Sequence, residues 1–268
     1  MAATVSVALV AASACEFTQL PDGGFRLVPD NPSGERVLII GDSLVRQPSL
    51  SVAFGTMNAG TETLVQAVNT AGLVSGPVKY DERLAELLAS FKPTVVLMGF
   101  SGNFTAPYWD GYSPPGAVGS AEYQAWINTQ RASTDFLDRY VAAAKRLTGL
   151  AELAGAQVYW VETPPFPAAY GNPSMPQKLW TRFNADLPDD HANVKFLTAN
   201  TAVSTPTGGW RQFKTICGTN YEIRSLAYDG GVHFTSDGAG TYGRALTRAL
   251  SSAEGWSAPP QQCPGQSD

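Results

Sequence analysis

Two histidines and three cysteines are all that 268 residues carry, and that scarcity narrows the chemistry at once. No histidine or cysteine spacing resembles a metal site, and no Gly-x-x-x-x-Gly-Lys phosphate loop occurs, so a chain without metal or cofactor is the simpler expectation. Lysine and arginine form no cluster. With a net charge of −5 and a pI of about 5.1, nucleic acid is not expected as a partner, because its binding depends on neutralising phosphates. The Gly-x-Ser-x-Gly elbow of the α/β-hydrolases is missing. The longest apolar run, Ala2 to Ala14, falls short of the roughly 20 residues that cross a bilayer, so no stable membrane span is expected.

What is present is alternation. Short apolar runs at Arg36–Gly41, Thr63–Val68, Val95–Met98, Val158–Val161 and Val194–Leu197 are separated by helical patterns. That order predicts an α/β fold with a parallel sheet covered on both faces. Leu84, Leu87, Leu88 and Phe91 recur at helical spacing before Lys92-Pro93, as do Leu137, Tyr140, Val141 and Ala144, and, in a last helix, Tyr242, Ala245, Leu246 and Ala249. These stripes predict core-facing sides. No fixed-period repeat or long linker divides the chain. One domain is expected over 31–255, with 1–30 as an apolar segment and lead-in and 256–268 as a tail.

Gly41-Asp42-Ser43-Leu44 directly follows the first run, which puts a small nucleophile where a strand ends. In open α/β sheets ligands bind at that carboxyl edge, and a helix starting there aims free N–H groups at developing negative charge. Asp42 and Ser43 are equally the residues that cap a helix. A serine nucleophile needs a base, and two histidines can supply one. His191 lies in the polar stretch Pro188–Asn193 and is expected in an exposed loop. His233 follows Tyr228-Asp229-Gly230-Gly231-Val232, shortly before the last helix. There Asp229 is placed to accept from the imidazole and stabilise its cation. The competing reading is a glycine-rich turn with an incidental histidine.

Together these residues resemble the GDSL, or SGNH, hydrolase superfamily. The first block of that family is present unchanged as Gly41 to Leu44. Asn69-Thr70-Ala71-Gly72-Leu73-Val74-Ser75-Gly76 is similar to the second, with Gly76 as the oxyanion-hole glycine and Gly72 in reserve. Gly99-Phe100-Ser101-Gly102-Asn103-Phe104 after the third run is similar to the third, with Asn103 as side-chain donor. The resemblance implies a three-layer α/β/α sandwich with a flavodoxin-like parallel sheet of about five strands. It implies a catalytic Ser43, His233 and Asp229, and an oxyanion hole of Ser43, Gly76 and Asn103. Two departures stand out. Phe104 replaces the acid that commonly follows the asparagine, and Asp229 precedes His233 by four residues instead of three, with Gly230 at the usual acid position. An extra glycine that bulges the loop restores the contact; otherwise a Ser-His dyad or an acid from elsewhere is required. Asp237 is the weaker orienting candidate, because Ser236-Asp237 is expected to cap the last helix.

Serine hydrolysis of a small-molecule or glycan carboxylic ester, by an esterase, lipase or carbohydrate O-acetylesterase, is the expected function. O-acyl transfer to a cell-envelope sugar and a non-catalytic binding module are the alternatives. Loops over Thr105–Gly119 and Thr163–Met175 follow strands and are expected at the active edge. Their aromatics, Tyr108, Trp109, Tyr112, Phe166 and Tyr170, either line a pocket or pack the loops onto the domain. Ala12-Ser13-Ala14 before Cys15 resembles an export cleavage site without the usual positive residue ahead of it. Export to the envelope or beyond is therefore expected, with cytoplasmic residence as the alternative. In an oxidising compartment Cys217 would pair with Cys263, or Cys15 with Cys263.

Overall fold

The computed structural model describes residues 15–104, 108–169 and 173–259. In chain order the elements are β1 (Cys15–Gln19), β2 (Phe25–Pro29), β3 (Arg36–Gly41), α1 (Ser43–Met57), β4 (Glu62–Ala67), β5 (Ser75–Gly76), α2 (Tyr80–Phe91) and β6 (Val95–Gly99). There follow β7 (Tyr108–Trp109), α3 (Ala121–Ala132), α4 (Thr134–Leu153), β8 (Gln157–Val161), α5 (Met175–Asp186) and β9 (Lys195–Leu197). A 3₁₀ turn (Asn200–Ala202), β10 (Phe213–Ile216), β11 (Thr219–Glu222), α6 (Leu226–Asp229) and α7 (Ser236–Glu254) complete the chain.

The central sheet runs β1-β2-β4-β3-β6-β8-β9. Its last five strands are parallel, and taken by their order in the chain they follow the doubly wound flavodoxin-like sequence. The apolar runs become strands buried on both faces, as central parallel strands must be. Leu38, Ile40, Val96, Met98, Val158 and Trp160 face α2, α4 and α5. Their neighbours Val37, Ile39, Val95, Leu97, Tyr159 and Val161 face α1 and α7. The helix before Lys92-Pro93 stops where Lys92 turns left-handed (φ 52°) and its N–H reaches back to Leu88 O.

The sheet has two strands more than the sequence pattern indicates. β1 and β2 form an antiparallel hairpin, and β2 pairs antiparallel with β4, so residues 15–29 belong to the sheet and not to a lead-in. β1 is almost wholly exposed at the sheet edge, and an exposed edge strand carries little hydrophobic signal. The stretch Ala2 to Ala14 and Cys263 lie outside the described residues. Cys15 is a free thiol, which removes the Cys15–Cys263 pairing.

The switch in strand order falls between β3 and β6, whose ends meet with Gly41 opposite Gly99. A side chain at position 41 would put its Cβ 2.2 Å from Gly99 O, so glycine is required for this close approach. Ser43 starts α1 immediately beyond it.

Candidate active site

Asp42 directly follows β3 and caps α1. Its Oδ1 accepts from Leu44 N at 3.0 Å, and its main-chain oxygen accepts from Val45 and Arg46. The Ser43 N–H is thus the helix-end donor that Asp42 does not take up. The expected cap is real, but it uses half of the carboxylate. Oδ2 accepts from Ser101 N at 2.6 Å and Ser101 Oγ at 2.5 Å, and from Asn103 Nδ2 at 3.3 Å. Asp42 is completely buried. Burial pushes its carboxyl above the usual carboxylate range, and the donors from Ser101 and Leu44 pull it partly back. The aspartate therefore ties the turn that carries Ser43 to the loop after β6. Ser101, which the sequence reading did not single out, is its main partner.

Ser43 is 9% exposed, and its Oγ lies 2.6 Å from His233 Nε2. The other ring nitrogen, Nδ1, bonds Asp229 Oδ2. The four-residue spacing between Asp229 and His233 is accommodated by the chain itself. Asp229 ends α6, and Gly230 (φ 73°) and Gly231 (φ 86°) are both left-handed, a conformation glycine adopts without a Cβ penalty. The bulge they form curls the loop around the carboxylate, whose oxygens also accept from the N–H groups of Gly231, Val232 and His233. Trp210 Nε1 donates to Gly231 O at 2.7 Å and holds the bulge from outside. Asp237 sits in the first turn of α7, which is capped by Thr235 instead, through its side chain to Gly238 N. His191 is far from being a free loop residue: its Nδ1 meets Glu152 Oε2 at 2.7 Å.

The three expected oxyanion donors are placed unequally. Asn103 spends one Nδ2 hydrogen on Ala71 O at 3.0 Å. The other leans on Asp42 at 3.3 Å, a longer contact than those from Ser101 and so easier to exchange. Gly76 is buried with φ 120° and sits opposite Tyr108 in the two-residue pairing of β5 with β7. Asp110 N donates to Val74 O two residues further along. The alternation of an antiparallel ladder thus directs the Gly76 N–H at Tyr108. Gly72, the reserve, gives its N–H to Ser75 O.

Phe104, standing where the family's acid is expected, is fully buried. It is the hub of an aromatic cluster with Trp109, Tyr112, Trp126 and Phe136 at 4.6–5.6 Å between ring centroids. Loop bracing by an acid is replaced by ring packing. Trp109 and Tyr112 are spent in that cluster, and Phe166 is buried against the α1–α7 side, so these aromatics pack the loops onto the domain. Tyr170 lies outside the described residues. Behind His233, Arg224 is 1% exposed, donates through Nη1 to Pro165 O at 2.9 Å and lies over the Phe234 ring. Its burial pushes the guanidinium down to about 10. Among the described residues no three His, Cys, Asp or Glu side chains gather as metal ligands would, and no helix is long and apolar enough to cross a membrane.

A family model described as "Protein of unknown function (DUF459)" matches residues 36–249. Among solved structures the chain is similar to a GDSL-like lipase from Bacteroides thetaiotaomicron, with a TM-score of 0.51 and 14% identity over 82% of this chain and 87% of that one. It is similar to an acetylxylan esterase from Geobacillus stearothermophilus, solved as a catalytic mutant (TM-score 0.51, 13% identity, 86% and 99% covered). A family two carbohydrate esterase from Clostridium thermocellum, in complex with cellohexaose, gives 0.51 and 15% over 87% of this chain and 68% of that one. No protein of curated function matches in sequence. At these identities the likeness is one of fold, and the fold is that of the GDSL/SGNH hydrolases.

Proposed function

We propose that this chain, which belongs to the DUF459 family, is a serine acyl-hydrolase that cleaves carboxylic esters through an acyl-enzyme. The observation that carries the reading is the pair of contacts on one imidazole: Ser43 Oγ at 2.6 Å from Nε2, and Asp229 on Nδ1. A nucleophile, a base and an orienting acid in line satisfy the geometric demands of nucleophilic catalysis before any question of substrate arises.

In the proposed sequence His233 Nε2 takes the Ser43 proton as Oγ attacks the ester carbonyl. Asp229 keeps the other ring nitrogen protonated and steadies the imidazolium. The tetrahedral oxyanion is met by the Ser43 N–H at the start of α1 and by Asn103 Nδ2, which exchanges its long contact to Asp42 for the stronger one to the substrate oxygen. Gly76 joins as third donor when the β5–β7 pairing yields its N–H. His233 then returns the proton to the leaving alcohol, and water, activated by the same imidazole, releases the acid.

The fold neighbours make O-acetylated polysaccharide the first glycan substrate to try, beside short p-nitrophenyl esters. A fluorophosphonate probe separates the enzyme from a non-catalytic module. Expected is one covalent adduct on Ser43 in the native protein and none in Ser43→Ala; an unlabelled native protein overturns the reading. Acetate released to water, measured against acetyl transferred to an added sugar acceptor, distinguishes the hydrolase from a transferase built on the same site. Export of the chain, with Cys217 joined to Cys263, belongs to the same proposal. Mass analysis of the unreduced protein from a culture supernatant tests both.

A further inference from the structure

The base must be held against the nucleophile across 190 positions of sequence, and one side chain does this directly. Gln47 lies four residues after Ser43, hence on the same side of α1 and one turn along. Its amide makes two opposed bonds to the main chain of Phe234: Nε2 donates to Phe234 O at 3.2 Å, and Oε1 accepts from Phe234 N at 3.0 Å. Phe234 directly follows His233. An amide that answers both the N–H and the C=O of one residue ties down the two peptide units that flank it, the first of which joins His233 to Phe234, and a single bond would hold only one of them. The far side of the same residue is also held. Its ring stacks on Tyr242 at 5.3 Å between centroids and lies under the Arg224 guanidinium at 4.7 Å, while the residue bridges to Arg224 through the backbone.

Resting on the acyl-enzyme reading, we propose that Gln47 is a positioning residue that sets the separation of Ser43 Oγ and His233 Nε2 by clamping the peptide after the histidine to the helix that carries the nucleophile. It touches neither substrate nor the reacting atoms. A side chain that merely satisfied two backbone groups would affect stability when removed. A clamp affects the rate of the serine's own reaction with no change in how the ester binds.

The test uses the full chain with Gln47→Leu, which keeps the volume and loses both bonds, and Gln47→Glu, which keeps the acceptor for Phe234 N–H and loses the donor to Phe234 O. Three quantities are read: kcat and KM for p-nitrophenyl acetate, the rate of fluorophosphonate labelling at Ser43, and Tm. For Gln47→Leu a fall in kcat of the order of ten- to a hundredfold is expected. KM should stay within about twofold, and labelling should slow by the same factor as kcat. Gln47→Glu should fall between the native protein and Gln47→Leu. Labelling and kcat of Gln47→Leu within twofold of the native protein would overturn the proposal, as would a loss of activity that only tracks the unfolded fraction. If the leucine variant does not fold, Gln47→Glu decides: native rates in that variant overturn the clamp. A native protein that takes no label overturns the acyl-enzyme reading and, with it, the need for a clamp.

Discussion

The two halves of the candidate site are built in different ways. Asp42 and Ser43 sit where a strand buried along nearly its whole length hands over to a helix, and both are nearly inaccessible to solvent. Their positions follow from β3, α1 and the close approach of Gly41 to Gly99, all of which are secondary structure. The loop from Asp229 to His233 lies between a four-residue helix and α7, with the two side chains 24% and 29% exposed. Nothing regular holds it. Its shape depends on two left-handed glycines, an aspartate that collects three main-chain N–H groups, and side chains brought from far away in sequence, Trp210 and Gln47. One half is placed by the fold, and the other by individual hydrogen bonds.

That contrast predicts different costs for mutations in the two regions. The largest effects are chemical and common to both. Ser43→Ala and His233→Ala should each lower kcat/KM for a short ester by about 10⁴-fold or more, with thermal unfolding little altered. A residual rate in either variant within a hundredfold of native would break the assignment. Asp229 separates catalysis from loop construction. Asp229→Asn keeps an acceptor for the loop N–H groups and should still lose on the order of 10³- to 10⁴-fold in rate, because it no longer fixes the tautomer of His233. Asp229→Ala should show a similar loss in rate and, in addition, a drop in stability of about 1–3 kcal/mol from the orphaned donors. Equal unfolding free energies for the two variants, measured in urea, would show that the carboxylate does not build the loop.

At the Ser43 end the order is reversed, with stability moving first. Asp42→Asn replaces one acceptor oxygen by an amide nitrogen where Leu44 N, Ser101 N, Ser101 Oγ and Asn103 Nδ2 all donate to the carboxylate, and of these only the Ser101 hydroxyl can turn to accept. A loss of about 1–3 kcal/mol is expected for buried groups left unsatisfied, together with reduced turnover as Asn103 is displaced. The pH dependence adds a sign. Because burial raises the Asp42 pKa in the folded protein, the native state holds this proton more tightly than the unfolded chain. Asp42 therefore favours folding more at acidic pH and loses that contribution as pH rises through the folded pKa. Asp42→Asn should remove that component from the curve of stability against pH.

The same contrast explains what could be read in the sequence. The apolar runs of β3, β6 and β8 are rich in β-branched residues and continuous because both faces are buried, so the strands themselves, the sheet edge and Ser43 were legible, whereas the order of the strands came only from the family resemblance. The β1–β2 hairpin was not: β1 is an exposed edge strand with no reason to be apolar, and in β2 the buried Phe25, Leu27 and Pro29 alternate with Arg26 and Val28 over only five residues. Asp42 was legible as a helix cap, but its second role needs Ser101 to arrive from 59 residues away. Phe104 appeared in the sequence as a missing acid. That it is the centre of a ring cluster depends on Trp109, Tyr112, Trp126 and Phe136 converging from a short strand, a loop and two helices. Gln47 and Trp210 carry no local signal, because polar side chains that bond distant main chain follow no periodicity.

The smallest expected effects test one of the two features in which this chain departs from the GDSL/SGNH pattern it resembles, the extra residue between Asp229 and His233. Gly230 and Gly231 are both left-handed, but their surroundings differ. A Cβ on Gly230 would meet nothing within 4 Å, whereas one on Gly231 would come 2.6 Å from Trp210 Cζ2 and 3.1 Å from Leu226 Cδ2. The Trp210 ring cannot swing aside without giving up its bond to Gly231 O. Gly231→Ala should therefore combine backbone strain with a displaced bulge, costing about 2 kcal/mol or more and lowering turnover at least tenfold. Gly230→Ala should cost only the left-handed penalty of about 1 kcal/mol and leave turnover within a fewfold of native, since no neighbour has to move. Chemical denaturation and kcat measured side by side give both numbers. If the two alanines prove equally harmful to turnover, the loop is not fixed by Trp210, and the orientation of His233 must come from the Gln47 side alone.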